Sequence, residues 1–456
     1  MAHHSCSNLD TSPTINRITA GTTAIDKDAY TKNVRVQAIR IAAPKTGKIL
    51  RSQELKGLVL ELPKFSSVVR EENDDSRLVL LQAKPEDALP STALKFVDEE
   101  GGTIVPYNFS LKYDYWTADE ILQATLPEEL REESPTGFAI TGHIAHFNLR
   151  DEYLPFKKII GEIVIDKNKR IRTVVNKLDN IHNEFRFFEM ELVAGDADYV
   201  VEHHESDCKF TFDFREVYWN SRLHTEHERL VSIFKPEDGI IADVFAGVGP
   251  FAVPAAKKGC AVLANDLNPN SVKWLNKNSE DNKVGNLLRA SCEDGRDFIR
   301  GAARRAYDEP FAAYAGPKPN RRQVREERRR RLEQQGEGAA RPEPDDTVTV
   351  EKPPRNRIAH FVMNLPDTAI DFLDAFRGVL SRDLRGVYSE LPMVHCHCFT
   401  RFLDLADARA DIEKRVESAL GASLRGNFSL HFVRSVAPNK DMYCISFRLP
   451  EGVAFQ

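Results

Sequence analysis

Apolar and polar positions along the chain change period several times, and each change marks a candidate element. Residues 1 to about 30 show no period and read as a flexible terminus. From about 31 to 108 the pattern is mixed. Arg35–Ile41 and Leu78–Gln82 look like strands, with a Leu- and Lys-rich helix between them, which predicts a small α/β module. In a middle stretch, about 109 to 215, Thr117 is an N-cap that begins a helix. Phe138–His146 and Ile159–Ile165 then read as strands, and more strand-like segments follow to Phe214. From about 216 to 456 the rhythm becomes strand, glycine turn, helix, strand, helix, the order of a parallel sheet. It breaks between about 303 and 356, where Arg321–Arg331 is dense in charge and the stretch to Pro354 is rich in Pro, Glu and Asp. An insertion in a surface loop is expected there, helical in part, and either simply solvated or used as a nuclear address or RNA contact.

Composition narrows the class. At 456 residues the chain exceeds one ordinary core, so two or three domains are expected. Hydrophobic residues at 41% and charged residues at 29% are the mix of a soluble globular protein. No apolar run approaches the roughly 18 residues of a membrane helix, so no membrane partner is expected. A formal net charge of −6 excludes a uniformly basic nucleic-acid binder, although a local basic patch suffices for phosphate contacts. The seven cysteines (Cys6, Cys208, Cys260, Cys292, Cys396, Cys398, Cys444) form no C-x-x-C pair and predict reduced, mostly buried thiols inside the cell. The first residues lack the apolar core of a secretory signal; their Ser/Thr-rich, acid-poor makeup suits a disordered tail and is also compatible with mitochondrial import.

The chemistry begins at Asp243-Val-Phe-Ala-Gly247-Val-Gly249. A buried-strand pattern, Gly239–Phe245, leads into it and a helix, Pro250–Lys258, leads out, so a ligand can approach backbone and helix N-terminus without meeting side chains. A second strand ends in Asp266, whose carboxylate can accept both ribose hydroxyls of a nucleoside. A third leads to Asp294-Gly295, a polar loop suited to an adenine edge. Gly247–Ala252 also fits a dinucleotide fingerprint. Asp243 favours S-adenosylmethionine instead, because a carboxylate there meets an amino group well and a pyrophosphate badly. Asp266-Leu267-Asn-Pro269 is a familiar methyltransferase pattern and points the same way.

A fourth strand ends in Asn364-Leu-Pro366-Asp367, at the sheet edge where doubly wound folds bind ligands. Asn364 and the Leu365 carbonyl can hold the edge of a planar base there; the plainer reading is a strand-to-helix turn with a Pro start signal. The loop has no nucleophilic Cys of the kind carbon-5 cytosine methylation uses. His395-Cys-His-Cys398 alternates like a strand, so its His and Cys pairs face opposite sides; zinc needs about four convergent ligands, and no metal is expected. His203-His204-Glu-Ser-Asp207 reads as a polar turn.

Several segments together resemble one family. They are Asp213–Leu230 with Tyr218, Arg222, Glu226 and His227; the glycine turn with Pro250-Phe251; Asn265–Pro269; Asn364–Pro366; and Val433–Lys440 followed by Met442–Phe447. Over about residues 110 to 450 the chain resembles the archaeal and eukaryotic tRNA (guanine-37, N1) methyltransferases; the likeness is thin over 1–108 and absent across the charged insertion. It implies a Rossmann-like class I methyltransferase domain, a doubly wound α/β sheet, preceded by smaller α/β RNA-recognition modules. The cofactor it implies is S-adenosylmethionine. The implied partner is tRNA, gripped at the anticodon loop and folded body by a monomer in the cytoplasm, nucleus or mitochondrial matrix.

Guanine N1 must lose a proton before it attacks, which leaves negative charge on O6, so a carboxylate base and a cation are required. By resemblance Glu226 is that base and Arg186 the cation. Tyr218, Arg222, Asn364 and Pro366 hold the guanine or shape its pocket. His227, Asp243, Gly247, Gly249, Asp266, Leu267, Asp294, Gly295 and Asn364 line the cofactor. Without the resemblance, Glu226 and Arg229 read as an i,i+3 helix pair and Arg186 as a surface strand residue. The alternative activity is aminocarboxypropyl transfer at the same tRNA position during wybutosine synthesis, and a rival of another class is a catalytically silent RNA-binding protein.

Overall fold

The computed structural model describes residues 9–71, 75–131, 135, 137–178, 189–316, 325, 326, 329 and 353–456. The chain divides into two compact units, Met1–Leu178 with Met190–Asp198, and Asp179–Glu189 with Tyr199–Gln456.

In the first unit β1 (Lys32–Ala42), β2 (Val68–Arg70), β3 (Ser76–Leu80) and β4 (Thr103–Leu111) form an antiparallel sheet of order β2-β3-β1-β4. Successive strand residues point to opposite faces, so β1 serves two cores. Val34, Val36 and Ala38 enter one of them. Ile39 and Ile41 enter the other, which α1 (Thr46–Arg51) and α2 (Ser91–Glu99) cover with Ile49, Ala93 and Val97. The first core continues into a second sheet, β5 (Ala139–Thr141), β6 (Ile144–Phe147), β7 (Thr173–Lys177) and β8 (Met190–Gly195), with α3 (Ala118–Thr125) and α4 (Lys157–Lys167). Thr117 caps α3 as expected, in a reciprocal capping box with Glu120.

Two expectations change here. Ile159–Ile165, read as a strand, lies inside α4. Ile159, Ile160, Ile163 and Val164 are buried at helical spacing, and Gly161 is where a Cβ would come within 2.8 Å of Val193 and Ala194. Phe138–His146 is two short antiparallel strands turning at Gly142, whose φ is +56°.

The second unit opens with a hairpin, β9 (Val200–Glu205) and β10 (Cys208–Asp213), turned by Ser206 and Asp207, both with positive φ. His203 and His204 therefore stand on a strand, and only Ser206-Asp207 makes the turn. After α5 (His224–Ile233) come β11 (Ile240–Asp243), α6 (Ala252–Lys258), β12 (Ala261–Asn265), α7 (Pro269–Asp281), β13 (Leu288–Ser291) and α8 (Gly295–Asp308). Then follow β14 (Ile358–Met363), a 3-10 helix (Ala369–Phe376), β15 (Met393–Thr400), α9 (Leu405–Leu420), β16 (Phe428–Ala437), β17 (Lys440–Arg448) and α10 (Glu451–Ala454).

The strands make one sheet of order β13-β12-β11-β14-β15-β17-β16, parallel through β15 and antiparallel at β17 and β16. This is the doubly wound sheet the rhythm predicts, and the strand order reverses direction between β11 and β14, where such folds bind ligands. The rhythm breaks only after Asp308; Phe311 and Arg355 exchange backbone hydrogen bonds of 2.9 Å and tie the base of the insertion. Most of the charged run Arg321–Arg331 lies outside the described residues. Among the described cysteines, Cys208, Cys260, Cys396, Cys398 and Cys444 are buried free thiols, and Cys292 is an exposed one. No helix among the described residues is long and apolar enough to cross a membrane.

Hairpin β9–β10 belongs with this unit because two asparagines of α7 bond to its backbone. Asn282 accepts from Lys209 N at 3.0 Å, and the fully buried Asn278 accepts from Thr211 N at 2.7 Å. Asn278 also donates to the Val248 carbonyl of the glycine turn at 3.0 Å. Replacing Asn278 by Leu strands two buried backbone groups and is expected to cost about 2–4 kcal/mol, read by denaturant unfolding.

Candidate active site

Asn265, buried at the end of β12, gathers three strand ends. Its amide donates to the carbonyls of Val244 (3.2 Å) and Glu293 (3.0 Å), and its oxygen accepts from Ser291 Oγ (3.0 Å) and Glu293 N (3.1 Å). The loops after β11, β12 and β13 are therefore held side by side. In the loop after β11, Gly247 has φ +55° and faces open space where its Cβ would stand. Gly249 has φ +98°, and a Cβ there would lie 2.7 Å from Leu275 and from Val253. One glycine leaves room for a ligand and the other lets the turn pack.

Asp266 accepts from Gly247 N at 2.8 Å and from Asn268 N at 2.9 Å, fixing its carboxylate against the turn. Burial raises its pKa despite these bonds. Leu267 beside it is exposed. Asp294 caps α8 by accepting from Arg296 N at 2.8 Å, and Gly295 packs under Phe245 and Phe372.

Asp243 differs from all of these. It ends β11 fully buried, and neither carboxylate oxygen has a hydrogen-bond partner among the described residues. Burial, with Asp266 nearby, pushes its pKa up to about 8. A buried acid without a partner is costly, and a cationic ligand relieves the cost. The adjacent strand β14 ends at Asn364, whose buried Oδ1 is likewise without a partner. The Leu365 carbonyl, expected to help hold a base, accepts instead from Thr368 N (3.0 Å) and Ala369 N (2.7 Å). Both lone pairs serve the turn, leaving Asn364 as the polar group of this loop that remains to be satisfied. The Pro366 carbonyl accepts from Phe399 N at 3.0 Å and sets the loop against β15.

Glu226 and His227 are consecutive on α5, both buried. His227 donates through Nδ1 to Glu205 Oε1 at 2.6 Å and packs edge-on against Phe251, the residue that follows the glycine turn and its Pro250, with ring centroids 4.7 Å apart. Burial opposes ionisation of Glu205, but the His203 imidazole 3.6 Å from Oε2 and the hydrogen bond from His227 outweigh it and hold the acid at about 2. Glu226 accepts from Arg229 Nε (2.6 Å, to Oε2), Arg229 Nη2 (2.7 Å, to Oε1) and His397 Nε2 (2.7 Å, to Oε1). Burial again opposes the charge, and Arg229 and His397 again win, holding Glu226 at about 2. The i,i+3 pair with Arg229 therefore exists, inside a larger buried cluster.

His397 is the partner that sequence reasoning missed. It and His395 do face away from Cys396 and Cys398, which join the apolar core. The thiol near His397 is Cys444 of β17: one ligand atom each from Glu226, His397 and Cys444 lies within 4.8 Å of the others. The Arg229 guanidinium also holds both Glu226 oxygens. Tyr218 and Arg222 are exposed on the loop before α5. Arg186 lies outside the described residues.

Residues 118–198 match the family model described as the TYW2 N-terminal domain, and residues 201–308 match the TRM5/TYW2 methyltransferase domain. A tRNA (guanine(37)-N(1))-methyltransferase of Coprinopsis cinerea is 55% identical over 452 residues, covering 98% of each chain. The Saccharomyces cerevisiae protein of the same name is 40% identical over 474 residues, covering 94% of this chain and 93% of its own. The chain belongs to the tRNA (guanine(37)-N(1))-methyltransferase family. Its fold is shared with Trm5b from Pyrococcus abyssi, at 22% identity and a TM-score of 0.56 over 91% of this chain and 99% of that one.

In this family member, the missed groups Glu205, Asn265 and His397 act on other side chains or on loops, and no local motif marks them. Asp243 gives a pH test. Its ordinary pKa is 3.8 and its folded value about 8, so the native state keeps a proton that the unfolded chain loses. Its contribution to stability therefore falls as pH rises from about 4 to about 8, and the full cost of the buried charge is carried above that. Asp243→Asn is expected to raise Tm at pH 8.5 by more than at pH 5, while weakening S-adenosylmethionine binding measured by calorimetry.

Proposed function

We propose that this chain transfers a methyl group from S-adenosylmethionine to N1 of guanosine at position 37 of tRNA. The observation that carries this reading is a buried, ionised carboxylate, Glu226, one residue from a histidine packed against the cofactor turn, in a chain whose full-length relatives bear that activity's name. S-adenosylmethionine, when bound, supplies a methyl group activated by a positive sulfonium. The residues suited to hold it are Asp243, Gly247, Gly249, Asp266, Leu267, Asp294, Gly295 and His227. The partnerless Asp243 oxygens and the open space at Gly247 fit a ligand with an ammonium group.

The acceptor needs a base at N1 and a cation near O6. Glu226 is the base, and Asn364, with its free oxygen, meets the guanine edge. A carboxylate held at about 2 is a weak base at rest. Arg229 is only partly buried, and displacing it as guanine enters removes one of the two groups that hold Glu226 so acidic. Arg186 is the proposed cation at O6, with Tyr218, Arg222 and Pro366 shaping the pocket. The family models cover TYW2 as well, which favours keeping aminocarboxypropyl transfer as a second reading to be tested directly.

Cofactor labelled in the methyl group is expected to label tRNA bearing guanosine-37, and carboxyl-labelled cofactor is not; the reverse result would assign the transfer to the sibling reaction. Glu226→Gln is expected to lower the single-turnover rate by about 100-fold or more with cofactor affinity nearly unchanged. Because a cation lowers the pKa of Asp243, cofactor binding at pH 7 should also release protons. Calorimetry in buffers of different ionisation enthalpy measures that release, and a buffer-independent heat would remove this role from Asp243.

A further inference from the structure

Glu226 has two oxygens in different surroundings. Oε1 accepts from both His397 Nε2 and Arg229 Nη2, each at 2.7 Å, and is saturated. Oε2 accepts from Arg229 Nε at 2.6 Å, and its other neighbour is the half-exposed imidazole of His431, whose Nε2 lies 3.6 Å away on edge strand β16. One oxygen is locked inward and the other faces the side of the sheet that opens to solvent.

The lock is His397. It stands on β15 with no exposed surface, its ring tilted 39° against Phe251 at a centroid distance of 5.8 Å, just after the glycine turn. Around it are Glu226 and Arg229 from α5, Asp243 from β11, His395 from its own strand, His431 from β16 and Cys444 from β17. Burial disfavours its charge, but Cys444 and the Glu226 carboxylate together push its pKa up to about 10, so it donates as an imidazolium. Its Nδ1 has no hydrogen-bond partner among the described residues, so its polar orientation is set by Glu226 and the neighbouring Cys444.

We infer that His397 is the positioning residue of the base: it holds Glu226 by Oε1 and presents Oε2 as the oxygen that takes the guanine N1 proton. Arg229 can then leave without freeing the carboxylate to rotate. This rests on Glu226 being the base. The bonds balance: the N1–H bond breaks and its proton bonds to Oε2, and the N1 electron pair bonds the methyl carbon as that carbon's bond to the sulfonium breaks, its pair staying on sulfur as a neutral thioether.

The test is a double-mutant cycle on the full chain, with guanosine-37 tRNA and S-adenosylmethionine, measuring single-turnover rate, KM for tRNA and cofactor affinity. His397→Leu is expected to slow the wild-type background about 30- to 100-fold, the order of loss that a misplacement near 1 Å produces, with KM and cofactor affinity within about twofold. His397→Gln keeps an N–H donor and is expected to recover most of that rate, which also guards against a Leu variant that folds poorly. In a Glu226→Gln background, His397→Leu should cost no more than about twofold, because its effect passes through the carboxylate. Equal losses in both backgrounds, or a His397→Leu rate within threefold of wild type, would overturn the inference while leaving Glu226 as the base. A wild-type rate for Glu226→Gln alone would instead remove the base and the inference together.

Discussion

Glu226, Glu205 and Asp243 are among the carboxylates taken out of water in the second unit, and the way each is compensated organises the site around them. Glu226 and Glu205 are paired with imidazoles, and Glu226 also with a guanidinium, so both stay ionised. Asp243 has no hydrogen-bond partner among the described residues and holds its proton to about pH 8. A protein interior penalises an isolated charge by several kcal/mol, so an unpaired buried acid stays protonated until a positive charge is brought beside it. The paired acids tie α5 to the hairpin and to β15, and Asp243 stands buried at the end of β11.

The pairing depends on α5. Consecutive helix residues point about 100° apart, so Glu226 and His227 reach different elements from one place. His227 turns to Glu205 on β9, and Glu226 turns to His397 on β15, with Phe251 touching both imidazoles. A single short helix thereby couples the proposed base to the glycine turn. That geometry also explains why the hairpin belongs to the methyltransferase unit, since Glu205 at its end is half of one of the two pairs.

Much of the parallel sheet was legible because its signals are local. Buried-strand runs ending in Asp243, Asp266 and Asn364, a glycine turn, and the Thr117 capping box each depend on a few adjacent residues. Ile159–Ile165 misled for a physical reason: a short apolar run of β-branched residues fits a buried strand or a buried helix face, and only its neighbours choose. His203-His204 misled in the opposite way, because polar residues on a two-stranded hairpin look like a turn until the actual turn, Ser206-Asp207, is placed.

By itself the sequence determined the strand and helix rhythm of the parallel sheet, its glycine turn and the acids at the strand ends, since steric and capping preferences act within a few residues. The tertiary structure decided which of those acids are satisfied. Glu226 meets an imidazole 171 residues further along the chain, the Leu365 carbonyl is consumed by its own turn, and Asp243 finds no hydrogen-bond partner among the described residues. Charge compensation in a dry interior depends on distances in space, and no period or motif along a chain records them.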